Sequence, residues 1–268
     1  MQKYRHVINI GIQNTLVYRF NFLFRAAFGL IPLTATIFLW RAVFEGRQDS
    51  STVATYTLTE MISYYLIVTI VDALTAVTDD DWQIAADIRE GTISQFLLKP
   101  IDYLYYRLCL FFAGRIIYCV VAVFPVALFI LYLWKYFVLP ADGVTLGCFV
   151  VSVGLTALLQ FLISFTMAML AFWVLEVSTF IFILFALEYA AGGHLFPLDI
   201  LPPVISQVLY LTPFPYQMFF PVSVYLGKTT GAALGQGLIL QALWVIAMYG
   251  LARYIWRRGI RKYAAYGG

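Results

Sequence analysis

The sequence predicts an all-α polytopic membrane protein with six transmembrane helices. Composition, the length of the apolar segments and the placement of basic residues lead to this fold class. Of the 268 residues, 62% are hydrophobic and 12% are charged, whereas a soluble globular domain is roughly 45–50% apolar and about 25% charged. A soluble fold of this size could not cover so much apolar surface with so few charges. We therefore expect a single membrane domain, residues 1–268.

Six apolar segments are long enough, or nearly long enough, to cross a bilayer. A transmembrane helix needs about 20 mostly apolar residues. No charged residue occurs from Gly143 to Leu175, which is too long for one helix, so we expect a turn near 171–176. The predicted spans are residues 24–44, 54–77, 116–134, 144–165, 177–191 and 231–254.

Lys and Arg are distributed unequally among the segments that connect these spans. With both termini on one side of the membrane, thirteen of the 17 basic residues lie on that side and four on the other. Cytoplasmic segments carry the excess of Lys and Arg in membrane proteins. We therefore predict that both termini are cytoplasmic.

The leader, residues 1–22, is too polar and too long for a cleavable signal peptide. Arg5, Asn9 and Gln13 recur at four-residue spacing beside an apolar stripe. This pattern predicts an N-terminal helix that lies in the membrane interface. A disordered leader is the alternative.

The loop between the second and third spans, residues 79–107, carries paired helix stop and start signals. Gly91 can adopt the left-handed conformation that ends a helix, and Thr92–Gln95 matches a capping box that would begin another. Pro100 ends that second helix, and Asp102 caps the approach to the third span. We expect two short helices with a fixed break rather than a flexible connector.

The segment between the fifth and sixth spans, residues 192–228, holds six of the ten prolines but is otherwise rich in apolar residues. It is too broken to span a bilayer and too apolar to lie free in water. Irregular backbone at membrane depth is tolerated where protein buries it, so we predict an outer re-entrant helical hairpin. We interpret His194 as part of its turn rather than as a ligand. The predicted turn residues are Gly192, Gly193, Pro197, Pro202 and Pro213.

Two sequence motifs resemble those of a known family of membrane proteins. The first is Ile-Arg-Glu-Gly-Thr-Ile at 88–93 with Phe-Leu-Leu-Lys-Pro-Ile at 96–101. The second is Gly-Gly-His-Leu-Phe-Pro at 192–197, continuing to Leu-Thr-Pro at 211–213. They resemble the cytoplasmic and outer elements of ABC-2-type permeases, the membrane subunits of ATP-binding-cassette transporters. Arg89-Glu90 stands where the family more often has Glu-Arg. Together with the six spans, the motifs cover nearly the whole chain.

This resemblance implies a subunit of an ATP-driven exporter in the bacterial plasma membrane, among membrane lipids. A second permease, unlike or identical, and a separate ATP-binding subunit would complete it. The chain would be no enzyme and would bind no cofactor, metal or nucleic acid, since ATP and Mg would sit on the partner. The residues implied in ATPase coupling are Arg89, Glu90, Gly91, Thr92, Phe96, Lys99 and Pro100.

Three acidic residues lie within or near the spans, with tyrosines close to them in sequence. A charge at membrane depth costs about 2.5–3.5 kcal/mol on insertion scales and usually faces a cavity, and tyrosine rings can hold a cation. These features favour efflux of hydrophobic or cationic drugs. Alternatively, the acids near span ends reach water or pair with Arg. The pathway candidates are Glu60, Asp72, Glu188, Tyr64, Tyr65 and Tyr189.

Other functions remain as alternatives. Export of a lipid or a polysaccharide is the main one. An ion-coupled secondary transporter is less favoured because the sequence lacks the internal symmetry of inverted repeats. The Gly227-Lys228 pair resembles the end of a phosphate-binding loop, but Val222 stands where that motif needs glycine.

Overall fold

The computed structural model describes residues 2–46, 52–77 and 80–263, and helix predominates in these ranges. Met1 of the predicted leader and Asp79 of the predicted loop lie outside them. A two-stranded antiparallel hairpin is formed by β1 (Thr52–Val53) and β2 (Tyr56–Thr57). The α-helices are α1 (Gln2–Leu16), α2 (Arg19–Glu45), α3 (Leu58–Thr75), α4 (Asp80–Arg89), α5 (Ile93–Leu97), α6 (Tyr103–Tyr132), α7 (Gly143–Ala168), α8 (Ser178–Ala191), α9 (Pro203–Tyr210), α10 (Phe219–Tyr225) and α11 (Gly231–Lys262).

Five of the described helices are long and apolar enough to cross a membrane: α2, α3, α6, α7 with its 3-10 extension to Phe172, and α11. The fifth predicted span corresponds to α8, which has 14 residues. At 1.5 Å per residue it is about 21 Å long, shorter than the roughly 30 Å hydrocarbon core. The polytopic helical architecture is therefore present by length and composition, and the number of six spans stays a prediction.

The second and third spans begin elsewhere than predicted. The hairpin occupies the predicted start of the second span, and α3 begins only at Leu58, where Thr57 and Glu60 form a capping box. In contrast, α6 begins early, at Tyr103, because the Asp102 side chain accepts from the Tyr105 N–H. This helix includes Arg107, which we assigned to the loop and which is buried.

Both ends of the described chain lie at the same end of the bundle. Lys3 Nζ donates to the Pro100 carbonyl at 2.5 Å, and the hydroxyls of Ser94 and Tyr263 are 3.0 Å apart. We call this the terminal end. At the opposite, far end, Lys228 pairs with Glu60 at 2.5 Å.

The bundle has two apolar cores, one toward each end. The far-end core is centred on α3 and α10, where Tyr64 and Val222 are fully buried. The terminal-end core joins α4, α5 and the ends of α6, α7 and α11. In that core the rings of Tyr103 and Trp256 stack at 5.1 Å. The two short loop helices are thus part of the folded core, through Ile84, Ile88 and Ile93.

Candidate functional site

A cavity of about 600 Å³ opens at the terminal end of the bundle, among α2, α3, α4, α7 and α8. We define its mouth as the part nearest the terminal-end core, which is lined by Val77 after α3, by Asp81 and Trp82 of α4, and by Ser178 of α8. Its wall carries apolar rings from α8, and its inner end is polar. The inner lining residues are Asp72, Gln160, Ser164, Glu188, Tyr189, His194 and Gln217.

The inner end brings together acidic, imidazole and amide side chains from distant parts of the sequence. His194 Nε2 lies 3.3 Å from Asp72 Oδ1, and its ring stacks on Tyr189 with centroids 5.1 Å apart. Gln217 Nε2 donates to Glu188 Oε1 at 2.9 Å. The carboxylates are therefore held by hydrogen-bonded neighbours rather than left to swing freely.

Two buried polar atoms beside the cavity have no hydrogen-bond partner within the described ranges: His194 Nδ1 and Gln160 Oε1. A buried polar atom without a partner costs about 1–3 kcal/mol. The cavity lining also contains more carboxylates, from Asp72, Asp81 and Glu188, than permanent cations, of which it has Arg25. An occupant with a positive charge and hydrogen-bonding groups would fit this lining.

The broken segment that follows α8 reaches the middle of the bundle. Gly193 has φ +97°, a conformation that favours glycine. The Tyr216 carbonyl accepts from Gln241 Nε2 of α11 at 2.8 Å and from Thr156 Oγ1 of α7 at 3.1 Å. Gln241 and Thr156 lie well inside their helices. Irregular backbone at this depth is therefore satisfied by protein side chains, as a membrane interior requires.

The three prolines of the predicted turn each stand directly before a helical turn. Pro197 precedes the 3-10 turn Leu198–Ile200, Pro202 precedes α9, and Pro213 precedes the 3-10 turn Phe214–Tyr216. Proline suits the start of a helix because its φ is already helical and no N–H is lost there. The prolines divide the segment into short pieces.

In the loop between α3 and α6, α4 is joined to α6 by a buried polar network. Arg107 pairs with Asp87 at 2.7 Å and donates to Gln83 Oε1 at 3.1 Å. The Tyr103 hydroxyl donates to Asp87 at 2.6 Å. Removing one partner of a buried ion pair typically costs about 3–5 kcal/mol, so we expect α4 and the start of α6 to move as one unit.

The break between α4 and α5 is at Gly91, whose φ is +81°, as the stop signal predicts. The capping box predicted at Thr92–Gln95 is wrong. Thr92 already has helical angles and makes no cap, and its hydroxyl lies 3.4 Å from the Asp87 carbonyl. An N-cap residue needs an extended backbone, which the tight turn after Gly91 does not allow.

The comparison with known families decides the class of this protein. A family model described as "ABC-2 family transporter protein" matches residues 30–267. The chain belongs to this ABC-2 transporter family. It is a multi-pass membrane permease, the transmembrane component rather than the ATPase, and membership implies association with an ATP-binding subunit. No individual curated protein matches the chain.

The ABC-2 permease presents part of its loop to solvent. Leu98 is 88% exposed, and Arg89, Glu90, Lys99 and Pro100 are exposed as well. The other residues implied in coupling face inward. Gly91 and Thr92 are half-buried, and the Phe96 ring packs on the rings of Tyr103 and Tyr106 at 5.3 and 4.8 Å. The loop thus has one packed face and one exposed face.

The predicted pathway residues of this permease lie in three different places. Asp72, Glu188 and Tyr189 line the cavity. Glu60 lies at the far end, where it caps α3 and pairs with Lys228. The two remaining tyrosines, Tyr64 and Tyr65, are buried and donate to the carbonyls of Gly193 and Leu195, each at 2.6 Å.

Sequence reasoning missed several cavity residues. His194, interpreted as a turn residue, lines the cavity, as do Gln160, Ser164 and Gln217. Gln160 and Ser164 are one helical turn apart inside the uncharged 143–175 run, which is a detectable signal. Nothing local in the sequence indicates that Gln217 meets Glu188. Within the described residues, no cluster of three or more His, Cys, Asp or Glu side chains could hold a metal ion.

At the far end, a polar cluster links the hairpin to the broken segment. The Tyr56 hydroxyl donates to Asp199 Oδ2 at 3.0 Å, and Lys228 Nζ lies 5.0 Å from the Tyr56 ring centroid. Burial raises the pKa of Asp199, opposed by the Tyr56 hydrogen bond and by Lys228. The pKa of Tyr56 is also raised, first by burial and then by the Asp199 charge. This cluster is distant from the cavity mouth.

Proposed function

We propose that the chain is the permease subunit of an ATP-driven ABC-2 exporter in the bacterial plasma membrane. It forms a pathway with a second permease, unlike or identical, and a separate subunit holds ATP and Mg. One observation carries this proposal: α4 belongs to the loop with the exposed face and also lines the cavity mouth through Asp81 and Trp82. A partner that moved the loop would change access to the cavity.

The terminal end is the cytoplasmic end in this proposal. Lys3 and the basic residues of the α11 terminus, including Arg257 and Lys262, lie there. An excess of Lys and Arg marks the cytoplasmic side of a membrane protein. The cavity is then open toward the cytoplasm, which suits loading of a substrate for export.

The exposed face formed by Arg89, Glu90, Leu98, Lys99 and Pro100 is the docking surface for the ATP-binding subunit. Closure of two such subunits on ATP would push this face. Because α4 is joined to α6 through Arg107, the push reaches both the cavity mouth and the bundle. Switching of the cavity from inward to outward access would follow.

The substrate class favoured by the cavity is a hydrophobic organic cation, such as a cationic drug. The carboxylates of Asp72 and Glu188 attract positive charge, and Tyr189 offers a ring face to a cation. Phe182 and Phe185 supply apolar surface. The same carboxylates would repel a polyanionic glycan. Export of a lipid or polysaccharide is therefore only the second candidate.

The docking proposal is tested with Leu98→Asp. Leu98 buries almost nothing in the isolated chain, so the variant should fold while losing the Mg-dependent ATPase that co-purifies with the tagged wild type. The matched control is Leu211→Asp. Leu211 is 77% exposed but belongs to the broken segment 192–228, outside the loop that carries Leu98. Equal ATPase recovery with both variants would refute the docking surface.

The substrate proposal is tested in inverted membrane vesicles that contain the complete transporter. We expect ATP-dependent accumulation of a lipophilic cationic dye that stops when ATP is withheld. Accumulation of labelled lipid or glycan instead would favour the second candidate. Dye uptake driven by an ion gradient without the ATPase would identify a secondary transporter.

A further inference from the structure

A second concave surface lies on the outside of the bundle, between α6, α7 and α11. It is an apolar groove of about 260 Å³. We call it the α6–α11 groove. Leu108 and Phe161 form its floor region, while Ile246 stands at its edge and is 66% exposed. The groove shares no residue with the cavity. Its full lining is Leu104, Tyr105, Leu108, Leu158, Phe161, Leu162, Val245, Ile246 and Tyr249.

The groove continues into a basic pocket at the terminal end. Tyr249 belongs to both, and the pocket adds Arg253 and Arg257, one helical turn apart on α11. The same pocket contains Asp102, which pairs with Arg253 at 2.5 Å. Arg257 is exposed and forms no ion pair with any acidic residue of the described ranges. The pocket therefore keeps a net positive charge after the Arg253–Asp102 pair is counted.

Arg253 is held in a fixed position at the junction. Its Nε donates to the Tyr249 hydroxyl at 3.1 Å, and its guanidinium lies 5.1 Å from the Tyr105 ring centroid. The two tyrosine hydroxyls are 3.0 Å apart. Aromatic hydroxyls beside guanidinium groups are typical of the level at which lipid headgroups meet protein. A polar head and an apolar tail would meet at this junction.

Along α11, the apolar groove and the basic pocket follow each other as the acyl chain and headgroup of a bound lipid would. Val245 and Ile246 lie seven to eight residues before Arg253, about 10–12 Å along the helix axis. The basic pocket is at the terminal end and the groove runs toward the middle of the bundle. A headgroup at the membrane surface with an acyl chain pointing inward has the same arrangement.

We propose that the α6–α11 groove binds an acidic phospholipid, with an acyl chain in the groove and the phosphate on Arg257 and Arg253. Charge complementarity selects this occupant, because basic pockets between transmembrane helices bind anionic headgroups. A bound lipid would connect α6 to α11 beside the stacked rings of Tyr103 and Trp256. It would thereby stabilise the core that supports the α4–α5 loop.

The test uses the full chain in detergent and native mass spectrometry with added phosphatidylglycerol or phosphatidylcholine. We expect the acidic lipid to bind more tightly to the wild type. Arg257→Gln should weaken that binding about fivefold, the loss of one basic contact near the headgroup. The matched control is Arg258→Gln, which removes the same charge from a residue that does not line the basic pocket.

The acyl part is tested with Ile246→Trp, which fills the groove. Its control is Ile239→Trp, since Ile239 is 64% exposed on the same helix but outside the groove. Weaker phosphatidylglycerol binding with the first variant alone is expected. Equal binding of both lipids, equal effects of the two arginine variants, or no effect of Ile246→Trp would each overturn the proposal. So would a loss of association between permease copies without a change in lipid binding, because the groove would then be a protein interface.

Discussion

Gly91 and Gly193 both break a helical segment with a left-handed backbone, at φ +81° and +97°, yet their surroundings differ. A Cβ added at Gly193 would lie 2.8 Å from Phe219 Cβ and from the Tyr64 hydroxyl. A Cβ added at Gly91 would meet only the Tyr263 hydroxyl, at 3.5 Å. A glycine with a left-handed backbone therefore occurs once in a crowded interior and once beside open space.

The difference distinguishes a segment that is bonded to several helices from a loop that has an exposed outer face. The segment after Gly193 is held by donors from α3, α7 and α11, including Tyr65 and Gln241. The loop around Gly91 has a packed inner face and an outer face that ends in the exposed Leu98. We infer that the segment after Gly193 positions the inner end of the cavity. The loop around Gly91 can transmit the movement of a bound partner.

Gly193→Ala gives the largest expected effect on folding. The left-handed backbone costs an alanine about 1–2 kcal/mol, and overpacking adds about 1–3 kcal/mol. We expect little folded protein, measured by the thermal stability of a fluorescent fusion on size-exclusion chromatography. Gly147→Ala is the control, because a Cβ there meets nothing within 4 Å. Equal stability of the two variants would show that the segment is not fixed.

Gly91→Val should leave a folded protein that no longer transports. The left-handed backbone again costs about 1–2 kcal/mol, but no close contact adds to it, so the loop shifts rather than the bundle. We expect ATP hydrolysis by the complex to continue without dye accumulation in vesicles. Gly227→Val is the control: Gly227 has φ +68° in open space at the far end, so it carries similar strain. Unchanged transport in the Gly91 variant would contradict a coupling role.

Glu188→Gln should reduce cation transport without unfolding the protein. The new amide oxygen can still accept from Gln217, but the negative charge at the inner end is lost. A hydrogen bond to a charged group is worth about 1.5–3 kcal/mol, so we expect an apparent affinity for the cationic dye at least roughly tenfold weaker. Glu45→Gln, an exposed site outside the cavity, should behave as the wild type. An unchanged dye affinity would exclude Glu188 from the binding site.

Asp199→Asn gives the smallest expected effect. The folded protein binds the Asp199 proton more tightly than the unfolded chain, because burial raises its pKa. This contribution to stability is present below the unfolded pKa of about 3.9 and is lost as the pH rises through the folded value. The melting temperature of the variant should therefore depend less on pH across that acidic window. Identical pH profiles would mean that the surroundings of Asp199 do not raise its pKa in the folded protein.

The positions of the two breaks could be predicted from sequence because their signals are local. The Gly91 turn, the Asp102 cap and the prolines before helical turns each act within a few residues. The capping signal at Thr92 failed because a local motif cannot reveal that the preceding turn already sets its backbone. A working capping box occurs at Thr57 and Glu60 instead, and it gives Glu60 a structural role.

The pathway tyrosines show where local reasoning ends. Tyr64 and Tyr65 are near Asp72 in sequence, which suggested a common site. On a helix they face the carbonyls of Gly193 and Leu195, whereas Tyr189 faces the cavity. Which face of a membrane helix points inward is weakly encoded, because lipid tails are as apolar as leucine side chains.

The sequence by itself determined the membrane class, the order of apolar segments and the two glycine breaks, because these depend on composition and on neighbours along the chain. Only the tertiary structure decided which polar groups meet. Asp72 reaches His194, and Gln217 reaches Glu188, only because α3, α7 and α8 pack around the broken segment. A cavity is a property of helix faces brought together over long sequence separations, and no local pattern fixes those faces.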